Sequence, residues 1–316
     1  MRRFPAPLGL AMLMILAGCA QPGEPSGPGA SPDQRDEAFQ QRATEVAQVW
    51  QAASRPDWRT GYVPLQDPTI VPAGATFGEE TKQAFLAGWY RERVAMPPAV
   101  PADGTITFPD GTLSVPLVSA AEAYRQLDQG DPPPCPGRPA QPPPVPSGTG
   151  PDGTVSGPAS TACTPLTVSK VELGTATVRT SRGEATVPAW LFTVDELRTT
   201  IARVAVAPGA TGTLPEAPGP SGSLPKGLVG AQDLVAVDGA KLTYRLGVGA
   251  CDTQVTPLVR EQDDLVLVGG TAVRSDGICT DQLLLQPVTV NLEQPLGART
   301  VLDAAFGRPL ILTSAR

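Results

Sequence analysis

Ten prolines fall between residues 131 and 151, a density that no packed helix or strand survives, because each ring fixes φ and removes a backbone donor. Residues 207–227 add five prolines and five glycines, and Ala20–Pro32 reads AQPGEPSGPGASP. These three runs gather much of the 37 prolines and 33 glycines of a 316-residue chain whose apolar fraction, 41%, still suffices for a core. The sequence therefore predicts three foldable stretches separated by proline-rich segments. They are organised as a domain over 33–206 that carries a disordered insertion at 131–162, a linker over 207–227, and a second domain over 228–316.

The chain has no histidine. Without imidazole there is no Ser-His-Asp triad, no Cys-His pair and no His-ligated metal, so chemistry would rest on carboxylates, Lys, Tyr or Ser. The net charge is −7, and lysine occurs only at 82, 170, 226 and 241 among 24 basic residues. Arginine supplies the rest as a compositional habit, which weakens any single arginine as a site marker. No basic stripe is present, so binding to a nucleic-acid backbone is not expected.

At the N-terminus, Arg2 and Arg3 precede an apolar run from Phe4 to Ile15 and then Leu16-Ala17-Gly18-Cys19. The run is short of the ~20 residues that a spanning helix needs, and its layout is that of a secretory signal over residues 1–18. The last four residues resemble the bacterial lipobox. That resemblance implies diacylation of Cys19 and cleavage just before it, and two acyl chains anchor a protein stably where one is marginal. Residues 19–32 then form a lipidated cysteine and a flexible tether, with Ala20–Pro32 reaching at most about 40 Å if extended as polyproline II.

Four cysteines remain, Cys135, Cys163, Cys251 and Cys279, an even number for a chain on the outer side of a membrane, where disulfides are the default. Three pairings are open. Proximity in sequence favours Cys135–Cys163 and Cys251–Cys279, each closing a loop within one domain. No CxxC spacing suggests a metal or a redox-active pair, and no metal or cofactor is expected.

Ser31-Pro32-Asp33-Gln34 reads as a capping box opening a helix from about 32 to 54, with Phe39, Ala43, Val46, Trp50 and Ala53 on one stripe. Thr76–Glu79 and Ser119–Glu122 offer two more helix starts. Thr105–Phe108 and Thr112–Val118 flank Pro109-Asp110-Gly111 as a hairpin, and short strands recur from 166 to 206 with turns at Glu172–Thr175 and Ser181–Gly183. The expected N-terminal fold is α+β, amphipathic helices on a mostly antiparallel sheet. From 228 onward, about seven strands separated by turn signals at Asp238-Gly239, Gly269-Gly270, Asp276-Gly277, Pro295–Gly297 and Gly307 predict an all-β, sandwich-like domain.

The overall layout resembles uncharacterised secreted lipoproteins of high-GC Gram-positive bacteria, which often end in a Cys…Cys pair before a segment such as Pro295-Leu296-Gly297-Ala298-Arg299 here. It implies no particular activity. Ser223-Leu224-Pro225-Lys226 matches SxxK, but Pro225 blocks the helix that would bring lysine to serine, and the companion motifs are missing. Glu79, Glu80, Asp195, Glu196, Glu261, Asp263 and Asp264 are the acids available to a glycosidase, which needs two of them ~5–9 Å apart. Trp50, Trp89 and Trp190 are candidates to line an interface or pocket. The expectation is thus a lipid-anchored lipoprotein on the outer face of the cell membrane, binding or scaffolding an envelope protein or wall polymer without catalysis. The alternative is a carboxylate-dependent cell-wall glycan hydrolase.

Overall fold

The computed structural model describes residues 31–72, 74–131, 165–216, 219–274 and 279–313. The signal segment, the lipobox Leu16-Ala17-Gly18-Cys19, most of the proline-rich insertion, and Cys135 with Cys163 lie outside the described residues. Among the described residues no helix is long and apolar enough to cross a membrane.

The chain is mostly β, in two sheets. Helices α1 (Pro32–Ala52) and α2 (Pro56–Thr60) lead to a short strand β1 (Thr69–Ile70), helix α3 (Glu79–Ala87) and strand β2 (Tyr90–Glu92). The hairpin β3 (Gly104–Phe108) and β4 (Gly111–Val115) precedes helix α4 (Ala120–Leu127), and β5 (Leu166–Thr180), β6 (Gly183–Val194) and β7 (Thr199–Val204) complete the first sheet. Strand β6 is its spine. One edge pairs with β5 throughout, while the other meets β3 at Thr186 and then β7 from Ala189 onward.

The second sheet comprises β8 (Leu228–Asp238), β9 (Lys241–Gly249), β10 (Asp252–Glu261), β11 (Leu265–Arg274), β12 (Leu283–Asn291) and β13 (Thr300–Asp303). Strand β8 passes from one partner to another: Leu228–Gly230 pair with β11 and residues 231–238 with β9, across two register shifts. That change of direction lets β9 face β11. Tyr244 on β9 donates its hydroxyl to the carbonyls of Leu258 and Gly269, sealing a core of Leu234, Leu242, Leu246, Val266, Val268 and Val301. The Cys251–Cys279 disulfide is formed, tying the β9–β10 turn to the segment that enters β12.

Local signals decide where several elements begin. The Ser31 hydroxyl accepts from Gln34 N while the Gln34 side chain accepts from Ser31 N, the reciprocal box that the sequence predicts. Ser119 caps α4 through Glu122 N. Helix α3 differs: its N-cap is Gly78 with no side-chain bond, so Thr76 does not open it. The two-residue turn Ser181-Arg182 joins β5 to β6 as expected, with Thr180 opposite Gly183. The turn expected at Glu172–Thr175 is absent, because β5 runs unbroken for 15 residues. Gly174 instead makes room for Leu191, whose Cδ1 would lie 2.6 Å from an added Cβ.

The larger departure concerns α1. Its stripe of Phe39, Ala43, Val46, Ala47 and Trp50 packs on Leu265 and Leu267 of β11 together with Leu302, so it covers the second sheet and not the first. Helices α3 and α4 do stay with the first sheet, where Ala84, Ala123 and Leu127 join its core. Because α1 takes one face of β11 and β9 takes the other, Leu265–Ala272 are buried continuously. This explains Gly269-Gly270, which reads as a turn in sequence and sits mid-strand. An added Cβ at Gly269 would lie 3.3 Å from Phe39 Cε2, and one at Gly270 would lie 2.5 Å from Leu246 Cδ1 on the opposite side.

Residues 62–66 join the two sheets. Tyr62 points into the first core, while Val63 and Leu65 point into the core under α1. Leu65 N donates to Arg179 O at the end of β5, and Leu65 O accepts from Leu312 N. The chain end at 311–313 bonds Leu234 in turn, so one ladder crosses from β5 to β8. The described residues of the 207–227 run carry no strand or α-helix, yet they are held to the surface: Gly212 N donates to Tyr62 O, and Arg42 donates to the carbonyls of Pro220 and Ser221.

Arg42 is 6% exposed, on the packed face of α1, and it also donates twice to Ala305 O. Removing it leaves buried carbonyls without donors, at about 1–3 kcal/mol each. Arg42→Ala is expected to lower the unfolding free energy by about 3 kcal/mol, with Arg42→Lys intermediate. Urea denaturation followed by tryptophan fluorescence measures both, and an unchanged midpoint in the alanine variant would contradict the role.

Candidate functional site

The three tryptophans named from the sequence are placed in different surroundings and line no common cavity. Trp190 is buried in the first core with its indole N–H donating to Val118 O at 2.9 Å, and Trp89 packs against the same core, half-buried. Trp50 lies under α1, with Trp58 edge-on at 5.2 Å and the Arg55 guanidinium 3.8 Å above its ring. Trp58 falls on the short helix α2. The reason for the separation is the relocation of α1: its stripe carries Trp50 to the second sheet.

The candidate acids fall in three separate places; Asp195, Glu196 and Glu261 are engaged, and Glu261 and Asp263 line one cavity of about 240 Å³ with Arg299. Glu196 accepts from Thr167 N and Oγ1, both at 2.6 Å, and fixes the turn before β7. Asp195 pairs with Arg93 at 2.7 Å, and Glu261 pairs with Arg299 at 2.7 Å while accepting from Glu293 N. The Glu261 carboxyl is lowered on balance: burial raises it, and the bonds from Arg299 and Glu293 N outweigh that effect. Glu79 and Glu80 occupy the exposed first turn of α3, where acids offset the helix dipole. Asp263 and Asp264 lie in the β10–β11 turn, also exposed.

Four buried side-chain polar atoms lack a hydrogen-bond partner among the described residues: Arg55 Nη1, Arg179 Nε, Tyr90 Oη and Arg203 Nε. Buried polar groups are normally satisfied, so each such group merits an explanation. The residues Tyr90 and Arg203 both line a cavity of about 200 Å³ between the C-terminal end of α3, α4 and the β1–β7 edge, although the two unpaired atoms are themselves buried away from its space. Its position follows from local chain chemistry. Gly88 ends α3 in the left-handed region at φ 68°, donating back to Ala84 and Phe85, which turns the chain straight into β2. An added Cβ there would meet Gln129 Cγ at 2.6 Å, so glycine also lets the end of α4 close on the cavity.

Tyr90, the first residue of β2, is only 3% exposed. Burial, with Asp128 and Tyr124 adding to it and Arg203 opposing, raises its hydroxyl well above the usual range, so it stays protonated and can donate. Arg203 sits on β7 opposite Thr69 of β1, and its Nη1 donates to Thr69 Oγ1 at 2.7 Å while Nη2 reaches Gln126 Oε1 at 3.3 Å. Burial lowers this guanidinium, and Asp67 and Tyr90 partly restore it. Each outer nitrogen thus makes one hydrogen bond, and Nε–H makes none. Apolar lining comes from Phe85, Leu86 and Leu127. Larger grooves exist, such as one of about 750 Å³ beside Leu214, Leu310 and Ile311, lined also by Asp67, Glu216 and Arg308 and by Asp233, which pairs with Arg245.

Sequence reasoning does not reach Tyr90 or Arg203. A charged residue inside Ile201-Ala202-Arg203-Val204-Ala205-Val206 was the available signal, and an arginine-rich composition hides it. Comparison with protein-family models, with curated proteins and with solved structures gives no match.

One buried acid has a different explanation. Asp303 is fully buried and accepts from the backbone N–H groups of Ala231, Ala305 and Phe306, holding the turn after β13. Burial pushes its carboxyl up to about 6, and the three donors and Arg308 only partly oppose it. A folded value above the unfolded one means that its contribution is full below the ordinary aspartate range and is lost as pH rises through about 6. Between pH 4 and pH 7 this group costs on the order of 3 kcal/mol. Unfolding free energies of the native chain and Asp303→Asn across that range should therefore differ in slope, the native chain losing more as pH rises. Parallel pH profiles would contradict this assignment.

Proposed function

We propose that the chain is a lipoprotein held on the outer face of the cell membrane through lipid on Cys19, with a binding role at the cell envelope. The observation that carries this reading is Leu16-Ala17-Gly18-Cys19 placed directly after a short cationic and apolar leader and directly before a Pro/Gly/Ser run. The Cys251–Cys279 disulfide supports it, since such bonds persist in oxidising compartments. The cavity between α3, α4 and the β1–β7 edge is one place where a small partner could be held. The partner, an envelope protein, a wall polymer or a smaller molecule, would be met at the length of the tether from the bilayer. Glycan hydrolysis draws little support from the acids: Glu196 fixes a turn, Glu79 and Glu80 offset a helix dipole, and Asp195 and Glu261 pair with arginines.

The test is fractionation of cells expressing the full chain and Cys19→Ser. The native protein should sediment with membranes and incorporate labelled palmitate, with its precursor accumulating under globomycin. Cys19→Ser should leave the membrane fraction and take up no label. A Cys19→Ser protein that remains membrane-bound, or processing unchanged by globomycin, would overturn the anchor.

A further inference from the structure

We propose that Leu283, Leu284 and Leu285, at the start of β12, make a second contact with the lipid bilayer, dipping into the boundary between headgroups and acyl chains. The inference rests on the lipid anchor proposed above and goes beyond it, since an anchor alone leaves the orientation of the folded chain open.

The three leucines are 63%, 41% and 44% exposed, whereas the other exposed large apolar side chains among the described residues stand singly in sequence. Their neighbours leave them bare. Leu283 and Leu285 lie opposite Gly249 and Gly247 of β9, so on that face the partner strand offers no side chain to cover them. Leu283 uses the space by lying across Gly247, where an added Cβ would meet its Cδ1 at 3.2 Å. β12 is an edge strand, pairing only with β9 among the described strands. Such an edge is normally guarded by charged side chains when it faces water, yet Leu283 to Asn291 carry no charge.

The place of these leucines in the fold names what covers them. At this end of the second sheet β9 gives way to β10 and β11 finishes, with Asp252 opposite Arg274. Helix α1 begins here as well. Its first turns, at Pro32, Arg35 and Asp36, line one groove with Gln254, Thr256 and Thr271, and its far end brings Trp50 to Leu265. The first sheet joins at that far end, where Arg179 donates to the carbonyls of Gly297 and Arg299. The chain leading from Cys19 therefore enters the fold at the leucine end, after a segment that reaches at most about 40 Å. That segment limits how far this end stands from the bilayer, and the leucines bring it back to the surface. Acylation already concentrates the chain there, so a weak contact is enough. Asp33, Asp36, Asp252 and Asp281 outnumber Arg35 and Arg274 around this end, so no basic patch draws anionic lipid. The backbone groups on the open edge of β12 find no partner in hydrocarbon, which keeps the contact shallow.

The experiment reconstitutes the full acylated chain in phosphatidylcholine vesicles whose acyl chains carry bromine, which quenches nearby indoles. Leu283→Trp and Leu285→Trp report on the patch, and Asn291→Trp reports from the same face of β12, about 26 Å further along the strand from Leu283. The native chain supplies the background of its four tryptophans. After subtraction, both leucine-site reporters should be quenched roughly threefold more than Asn291→Trp, since an interfacial contact buries only ~5–10 Å of the protein. Replacing about a third of the lipid with anionic phosphatidylglycerol should leave that ratio unchanged. Equal quenching at all three positions would overturn the proposal, because the sheet would then lie flat on the bilayer or stand clear of it. A strong gain with phosphatidylglycerol would assign the contact to charge and overturn it too. So would a blue shift of the leucine-site reporters that grows with protein density without quenching by bromine, which would assign the leucines to a second copy. Flotation of the same samples separates the two readings: a chain that does not float with vesicles removes the anchor, and a floating chain with unquenched reporters removes the leucine contact alone.

Discussion

A strand buried on both faces has to be covered twice, and in this chain the strand is β11. Tyr244 and Leu246 of β9 cover one side, and α1 covers the other from more than 200 residues away in sequence. The Gly269-Gly270 pair admits both neighbours at once, which is why the closest approaches occur there. The rest of the N-terminal segment follows from that placement. Once α1 lies on the second sheet, the chain must return to the first, and residues 62–66 do so by sending Tyr62 into one core and Val63 and Leu65 into the other. Neither sheet completes its packing without this segment.

The proline content poses a second constraint. Each proline keeps its carbonyl and lacks a donor, so a chain with 37 of them carries an excess of acceptors. Arginine, with five donors and no acceptor, is the complement. Arg42 serves Pro220, Ser221 and Ala305, Arg299 serves Gln294, Pro295 and Leu296, and the largely buried Arg179 reaches Gly297 and Arg299 across the junction of the sheets. Burial lowers the Arg179 guanidinium to about 10, which still leaves it charged near neutrality. What reads in sequence as a compositional habit has a structural use. The match is incomplete, since Arg55 Nη1, Arg179 Nε and Arg203 Nε lack an acceptor among the described residues.

Local chemistry was legible, and long-range address was not. The capping box at Ser31, the cap at Ser119, the hairpin around Pro109-Asp110, the Ser181-Arg182 turn and nearly every strand of the second sheet follow from periodicity and turn residues. The stripe on α1 announces that a face will be buried but does not say against what. Glycine misled twice for one reason: at 174 and 269–270 it provides space for a neighbouring side chain, and only three dimensions distinguish that from a turn. The candidate cavity was invisible because its lining is assembled from segments far apart in the chain. Tyr90 and Arg203 lie 113 positions apart, and nothing in either neighbourhood marks their donors as left over.

Native-state hydrogen exchange across β6 and β11 tests most directly whether the N-terminal segment binds the two sheets into one unit. If α1 and residues 62–66 complete both cores, the slowest amides of Phe192 in the first sheet and Val268 in the second will open with the same free energy. Both values will fall together when Leu65→Ala is introduced. Distinct opening energies, with the first sheet still protected while α1 and β11 exchange, would show two independent units joined by a passive connection.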